Sequence, residues 1–338
     1  MEWHSLFTTQ RVNDTAVKDT TSDRIRTSFL RDYDRIIFSG AFRRMQDKTQ
    51  VFPLPGVIFV HNRLTHSLEV ASVGRSLGKT VGKLIVDAYP DQTPLFKDFY
   101  NNELGNVISV ACLAHDIGNP PFGHSGEDAI RNYFSNLQVD LQRRLQEQMT
   151  ENEWKDLLYF EGNSNAFRTL THAYNELHSP FNLTLTTLAS IIKYPCDSSA
   201  GFKKQFDQLS TKKSGFFTPE IATFHKLAQV FQLPQLDKSK NHFARHPFVF
   251  LTEAADDICY RIIDIEDAHR LGIGTLEQLK DLFLPFFAKE TNYNSLDNVK
   301  SGLSAIKDKN QQAQYIRARW IGLMVDKLAA VFILNERT

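Results

Sequence analysis

The sequence predicts an all-α fold, and three observations carry that reading. From Leu64 to Ala88 the apolar residues, among them Leu68, Ala71, Leu77, Val81 and Ile85, recur at spacings near three and four, the period of an amphipathic helix. Residues 106–115 are apolar nearly all round, which marks a helix buried at the centre of a core. Strand signal is confined to 50–52 and 57–60, which flank Pro53-Leu54-Pro55-Gly56 and read as one short β-hairpin.

Taken in order, the long helix runs over 64–88 and stops before Pro90. The buried helix over 106–115 is stopped by Gly118 and the Pro120-Pro121 pair. Residues 128–134, 181–194, 248–268, 275–288 and 315–334 also show helical spacing, and 140–155, polar with sparse apolar residues, reads as a surface helix. Residues 196–219 and 232–247 read as loops. Neither a repeat nor a low-complexity tract interrupts the pattern. The expected organisation is a core over 1–270 that includes an N-terminal arm, with a C-terminal helical part over 271–338 packed on it.

Composition excludes several classes. Lys and Arg total 39 and Asp and Glu total 39, so bulk charge does not favour a polyanion or a lipid surface. Hydrophobic residues are 42% and charged residues 23%, which excludes a disordered chain. Three scattered cysteines, Cys112, Cys196 and Cys259, form no CxxC pair, so neither a disulfide framework nor a zinc ribbon is expected. A reducing, cytoplasmic setting follows as the expectation. The first residues lack the basic and apolar runs of a secretory leader. The longest apolar run, 107–114, is far short of the ~20 residues that span a bilayer, so no membrane partner is expected.

The chemistry concentrates in Ala111-Cys-Leu-Ala-His115-Asp116-Ile-Gly118-Asn119-Pro120-Pro121-Phe122-Gly123-His124. An apolar helix ends there in an imidazole beside a carboxylate, a pair costly to bury without partners. Upstream, Arg63-Leu-Thr-His66-Ser-Leu-Glu69 opens the long amphipathic helix. Downstream, Asp256, Tyr260 and Asp264 fall four apart on one helix face otherwise rich in Ala and Ile. His66, His115, Asp116 and Asp256 offer a mixed nitrogen and oxygen set suited to one divalent ion with open positions. Mn²⁺ or Mg²⁺ is the expected ion, with Fe²⁺, Co²⁺ and Ni²⁺ as alternatives. His124 and Glu127, three apart at a helix start, are spaced for a carboxylate–imidazole pair able to move a proton.

These blocks resemble the HD-domain superfamily of metal-dependent phosphohydrolases, and more narrowly the deoxyguanosine triphosphate triphosphohydrolase family. Arg31-Asp-Tyr-Asp-Arg35, Ala41-Phe-Arg-Arg44, Lys48-Thr-Gln50-Val-Phe-Pro53, residues 63–69, residues 115–127, Glu161-Gly-Asn163 and residues 253–267 carry the resemblance in order. It implies an HD-domain helical core with a C-terminal helical extension. It implies hydrolysis of dGTP, or of other dNTPs, at the α-phosphate to give a deoxynucleoside and tripolyphosphate. His66, His115, Asp116 and Asp256 match the metal ligands; His124 matches the catalytic histidine and Glu127 the acid that orients it. Gln50 and Arg63 match residues near the nucleoside and α-phosphate. Tyr260 and Asp264 match sugar contacts, Lys193 and Tyr194 resemble a phosphate-contacting pair, and Asn119 falls where relatives carry His. The resemblance also implies a homo-oligomer, with a hexamer as one form. Single-stranded DNA is a candidate effector. Two competing readings stand beside it: an HD-type phosphodiesterase or nucleoside monophosphatase, and a nucleotide- or single-strand-binding module with a vestigial site.

Two charge clusters complete the reading. Residues 23–48 hold seven basic groups, and their expected place is on solvated helix faces, with triphosphate binding or a subunit interface as the alternative. Lys203, Lys204, Lys212 and Lys213 are expected in solvent on a loop. The remaining histidines show no ligand spacing; His246, which directly precedes the Asp256 helix, comes closest to one.

Overall fold

The computed structural model describes residues 2–14, 26–50, 61–173, 181–200 and 209–336. At its centre two helices pack together, α2 (Arg63–Ala88) and α3 (Leu104–Ala114), with α1 (Ser28–Ile37) laid on α3. Asn62 and Thr65 form a capping box that starts α2. Every position of α3 except Asn106 is buried, as its all-round apolar character predicts.

The two central helices approach closely because α2 lacks side chains where they meet. A Cβ on Gly82 would stand 1.8 Å from the Tyr100 carbonyl oxygen. One on Gly78 would stand 2.9 Å from the Gly105 Cα, and one on Gly74 would stand 2.5 Å from Cys112 Sγ. Backbone therefore meets backbone, and the depth of the contact is set by the absence of β-carbons.

Around this pair lie α4 (Gly123–Ser135), α5 (Val139–Gln146), α6 (Glu151–Leu158), α7 (Gly162–Thr171), α8 (Leu185–Ala189) and α9 (Ile221–Val230). The long α10 (Phe248–Arg270) crosses α2 and α3. It is followed by α11 (Leu276–Phe283), α12 (Leu296–Ser304) and α13 (Lys309–Leu334), the last packed on α2 and α10.

Several boundaries differ from the sequence expectation for local reasons. The polar stretch 140–155 is two helices, because Thr150 and Glu153 make a fresh capping box. Of 181–194 only Leu185–Ala189 is α-helical. Its start is pinned by Asp32, whose Oδ2 accepts from the Thr184 N–H (2.9 Å), the Thr184 hydroxyl (2.7 Å) and the Thr187 hydroxyl (3.0 Å). Residues 275–288 end their α-helix at Phe283, where Pro285 imposes a 3₁₀ turn. Helices α7, α9 and α12 fall outside the stretches expected to be helical, whereas α1 lies within 23–48, where basic residues are expected on helix faces.

The expected hairpin over 50–60 lies outside the described residues apart from its flanks. Thr49 and Asn62 pair there as an antiparallel bridge, and the Gln50 N–H donates to the His61 carbonyl at 3.3 Å. The two-stranded sheet that is described, β1 (Gln235–Asp237) with β2 (His242–Phe243), lies in the stretch expected as a loop. Its strands are too short to show alternation. Asp237 caps the intervening turn through the Ser239 N–H, and Asn241 closes it with φ 43°.

The N-terminal segment straps the helices together. The Tyr100 hydroxyl donates to the Trp3 carbonyl (2.7 Å), and the Trp3 indole donates to Glu336 Oε1 (2.9 Å) beside the Tyr89 hydroxyl. His246 fastens the same strap. Its Nε2 donates to the Leu6 carbonyl (3.1 Å) while Nδ1 accepts from the Phe248 N–H (3.3 Å), which requires the neutral ring. It is a core histidine, remote from the His66 cluster.

Two predictions follow from this packing. Gly82→Ala should cost at least about 3 kcal/mol in a urea titration, because backbone must move to admit the methyl. Gly322→Ala, which meets nothing within 4 Å, should leave stability unchanged or improve it by up to about 1 kcal/mol. Burial lowers the His246 pKa to about 3 despite its bond to Leu6. Between about 3 and the ordinary value near 6.5 the unfolded chain binds a proton that the folded chain does not. This histidine should therefore remove up to about 1.4 kcal/mol of stability per pH unit as the pH falls through that window. Thermal melts from pH 7 to pH 4 should show this slope, and His246→Gln should flatten it.

Candidate functional site

Three helices bring the central donors together. His66 sits in the first turn of α2, His115 caps the end of α3, and Asp256 lies on α10. His66 Nε2 is 3.0 Å from Asp256 Oδ1, and His115 Nε2 is 3.5 Å from the same oxygen. The other ring nitrogen of His115 donates to the Cys112 carbonyl at 2.6 Å, so Nε2 is the atom left facing Asp256. One donor atom from each of His66, His115 and Asp256 falls within 4.8 Å of the other two, close enough for one divalent ion to bridge all three. Burial alone would lower His115, but Asp116 and Asp256 outweigh it and raise it to about 9. Burial would raise Asp256, yet the His115 and His66 imidazoles hold it well below the usual carboxylate range.

Asp116 stands beside this group, with Oδ1 3.6 Å from His115 Nε2. Its two oxygens are engaged elsewhere, Oδ2 by the Arg63 guanidinium and Oδ1 by the Asn119 amide. His115, Arg63 and His66 together keep its carboxyl low against the effect of burial.

The second functional group rises from the turn after α3. Phe122 adopts φ 64° and Gly123 φ 53°, and this left-handed turn launches α4. His124 then stands 81% exposed while Glu127, one turn on, is buried. His124 Nδ1 meets Glu127 Oε2 at 2.9 Å, and Glu127 Oε1 accepts from the Gly162 N–H at 2.8 Å. Burial pushes Glu127 up, but Lys213, His124 and the Gly162 N–H together hold it below the ordinary carboxylate value.

Both groups open onto one cavity of about 540 Å³. Gln50, Arg63, Asn119, Lys193, Tyr194 and Tyr260 also line it, with His115, Asp116, His124, Glu127 and Asp256. The Gln50 side-chain oxygen is buried and, among the described residues, has no hydrogen-bond partner. Lys193 Nζ pairs with Glu253 at 3.0 Å and stands over the Tyr194 ring. His66 is the donor that does not line the open cavity; it lies behind, 2% exposed.

Compared with known proteins, residues 63–198 match the HD domain family. The chain is 39% identical to the deoxyguanosinetriphosphate triphosphohydrolase-like protein of Synechocystis sp., over 99% of this chain and 73% of that protein. It is 42% identical to the protein of the same description from Pseudomonas aeruginosa, over 84% of this chain and 61% of that protein. It is 33% identical to the deoxyguanosinetriphosphate triphosphohydrolase of Yersinia enterocolitica, over 91% of this chain and 64% of that protein. The chain belongs to the dGTPase-like family of HD-domain proteins. Its matched part spans about 61% of the length of the Pseudomonas relative.

Within this family fold, Asp264, like His66, is an expected site residue that is not on the cavity wall. One turn beyond Tyr260, it lies near Asp267, His66 and His61, and burial raises its carboxyl. In that neighbourhood His61 bridges Asp267 (2.8 Å) and Glu69 (3.2 Å). Lys213, expected in solvent, is 14% exposed and lies between Glu161 (3.0 Å) and Glu127 (3.5 Å). Lys212 and Lys213 both line the cavity, as do Asn163 and Glu253. A loop lysine carries no periodic signal, so nothing in the sequence separates a buried one from a solvated one. Lys203, Lys204 and Arg24 lie outside the described residues. Of the remaining basic cluster, Arg35 is half-buried and donates to the Phe181 carbonyl (2.8 Å), and Lys48 donates to the Asn119 carbonyl (2.7 Å).

Mn²⁺ titrated into the purified chain and followed by electron paramagnetic resonance should fill one site per chain. Asp256→Asn should weaken that binding at least about 100-fold, and Asp264→Asn should leave it unchanged.

Proposed function

We propose that this site hydrolyses a deoxynucleoside triphosphate at the α-phosphate, with dGTP favoured, giving a deoxynucleoside and tripolyphosphate. The observation that carries the reading is the single cavity shared by the His115–Asp256 donors, the His124–Glu127 pair and four cationic side chains, Arg63, Lys193, Lys212 and Lys213. The names of the relatives supply the nucleotide.

His66, His115 and Asp256 would hold a divalent ion, with Asp116 as a fourth ligand once it turns from Asn119. Such an ion, Mn²⁺ or Mg²⁺ in this proposal, supplies Lewis-acid polarisation of a phosphoryl oxygen and a more acidic water. The remaining work falls to the chain. The four cations offer charge to a bound triphosphate, and Arg63 reaches the cavity from the same helix turn as His66. With its Nδ1–H donated in a hydrogen bond to Glu127, His124 keeps Nε2 free for chemistry. Nε2 takes a proton from the water that attacks the α-phosphorus. As the bond from phosphorus to the 5′-oxygen breaks, the same proton passes to that oxygen. The water's hydroxyl stays on the released tripolyphosphate, so atoms and protons balance. Gln50 and Tyr260, both on the cavity wall, would meet the nucleoside in this proposal. A homo-oligomer, hexameric by resemblance, with single-stranded DNA as effector, belongs to the same proposal.

The test is product analysis with each of the four dNTPs and Mn²⁺, with and without a chelator. Tripolyphosphate and deoxyguanosine are the expected products. Release of orthophosphate or pyrophosphate would sink the proposal in favour of another HD-type hydrolase. His124→Ala should lower kcat by about 10²- to 10⁴-fold while Mn²⁺ binding is retained.

A further inference from the structure

Beneath the exposed His124 lies a buried group of charges around Glu161 and Arg131, two residues that the proposed chemistry does not use. Glu161 precedes the first turn of α7 and is 1% exposed. Its Oε1 pairs with Arg131 Nη1 at 3.1 Å, and its Oε2 lies 3.0 Å from Lys213 Nζ. The same two cations also approach Glu127 Oε2, the oxygen that meets His124, but from farther away: Lys213 at 3.5 Å and Arg131 at 3.9 Å. Both cations thus sit closer to Glu161 than to Glu127.

We infer that Glu161 is a positioning residue for the His124–Glu127 pair: it holds Arg131 and Lys213 back from Glu127 Oε2 and so leaves that oxygen to His124. Two buried carboxylates face two cations, and the imidazole takes the share of Glu127 that they leave. Without the Glu161 charge, both cations would close on Glu127, and the histidine would lose its hold on the carboxylate. Two further bonds keep the arrangement in register. Arg131 donates to the Phe160 carbonyl at 2.8 Å, and the Gly162 N–H, one residue from Glu161, fixes the other oxygen of Glu127. Residue 162 itself has no space for a side chain: a Cβ on Gly162 would stand 2.1 Å from the Asn119 side-chain oxygen and 2.9 Å from Glu127 Oε1. The other charged groups around the pair are Asp128, which pairs with Arg131 at 2.9 Å, and Arg63 and Lys212 on the cavity wall.

The purpose of this device rests on the hydrolase reading, but its geometry does not, so the test reads the histidine directly. The ring resonances of His124, labelled with ¹⁵N and assigned with His124→Gln, are titrated by NMR in the full chain without substrate. Glu161→Gln should move the His124 midpoint to lower pH by about half a unit to one unit. Arg131→Gln should move it upward, and the charge-balanced double variant should return it toward the wild-type value. An unmoved midpoint in Glu161→Gln overturns the inference, as does a double variant whose shift is no smaller than that of Glu161→Gln. Should Glu161→Gln fail to fold, Arg131→Gln alone decides, since the inference does not survive without an upward shift there. In dNTP turnover, Glu161→Gln should lower kcat about 10- to 100-fold with little change in KM, and Glu161→Asp should recover part of it. A wild-type chain inert toward dNTPs that still shows the shifts would overturn the hydrolase reading and leave the positioning role standing.

Discussion

Everything at the site depends on how near α2 can come to α3. His66, Val70, Gly74, Gly78 and Gly82 fall four apart along α2, so one row of the helix carries a metal-type donor at one end and bare backbone at the other. The bare end meets Tyr100 and Gly105 at backbone distance, and the middle meets Cys112. The Cys112 carbonyl in turn orients the ring of His115. The register that seats the glycines therefore also sets where the two imidazoles face each other, with ring centroids 5.5 Å apart. Asp256 reaches them because α10 packs across the same pair. Precision at the donors is thus inherited from close packing in the core rather than built locally.

The zero net charge of the chain is resolved in space into buried groups in which both signs are packed together. Around His115 stand the carboxylates of Asp116 and Asp256, a setting that suits a metal ion. Around Glu127, carboxylates and cations alternate through Arg131, Glu161 and Lys213, and an imidazole shares the Glu127 carboxylate. Two neighbouring acids, Asp116 and Glu127, are both kept ionised against burial, by different partners and for different uses. Such groups are costly to assemble and become informative for that reason: side chains of this kind are rarely buried without a task or a partner.

How much of this could be read from the residues varies with the kind of signal. The long amphipathic helix and the buried apolar helix were legible because a 3.6-residue period survives any tertiary arrangement. The donors were legible because imidazole and carboxylate at the end of an apolar helix need a reason. The break of 181–194 was not, because it depends on Asp32, a residue about 150 positions away whose carboxylate captures the Thr184 and Thr187 hydroxyls. The placement of Lys213 was hidden for a similar cause, since its two carboxylate partners come from α4 and from the residue before α7. Asp264 illustrates how spacing alone leaves a position open. Four-residue spacing puts it on the helix face of Asp256 and Tyr260, and the drift of successive steps with one more turn of rise carries it toward His66, His61 and Asp267 rather than onto the cavity wall.

The strap formed by Trp3 also bears on the order in which the chain assembles. Its indole meets Glu336 across 333 positions, and Tyr89 shares the same carboxylate. Closing so wide a loop is entropically favourable only once the intervening helices are already in place. The clasp should thus be a late event in folding and an early one in unfolding. It would then bear on the lifetime of the native state through the unfolding rate, with little influence on how fast the helices first collect.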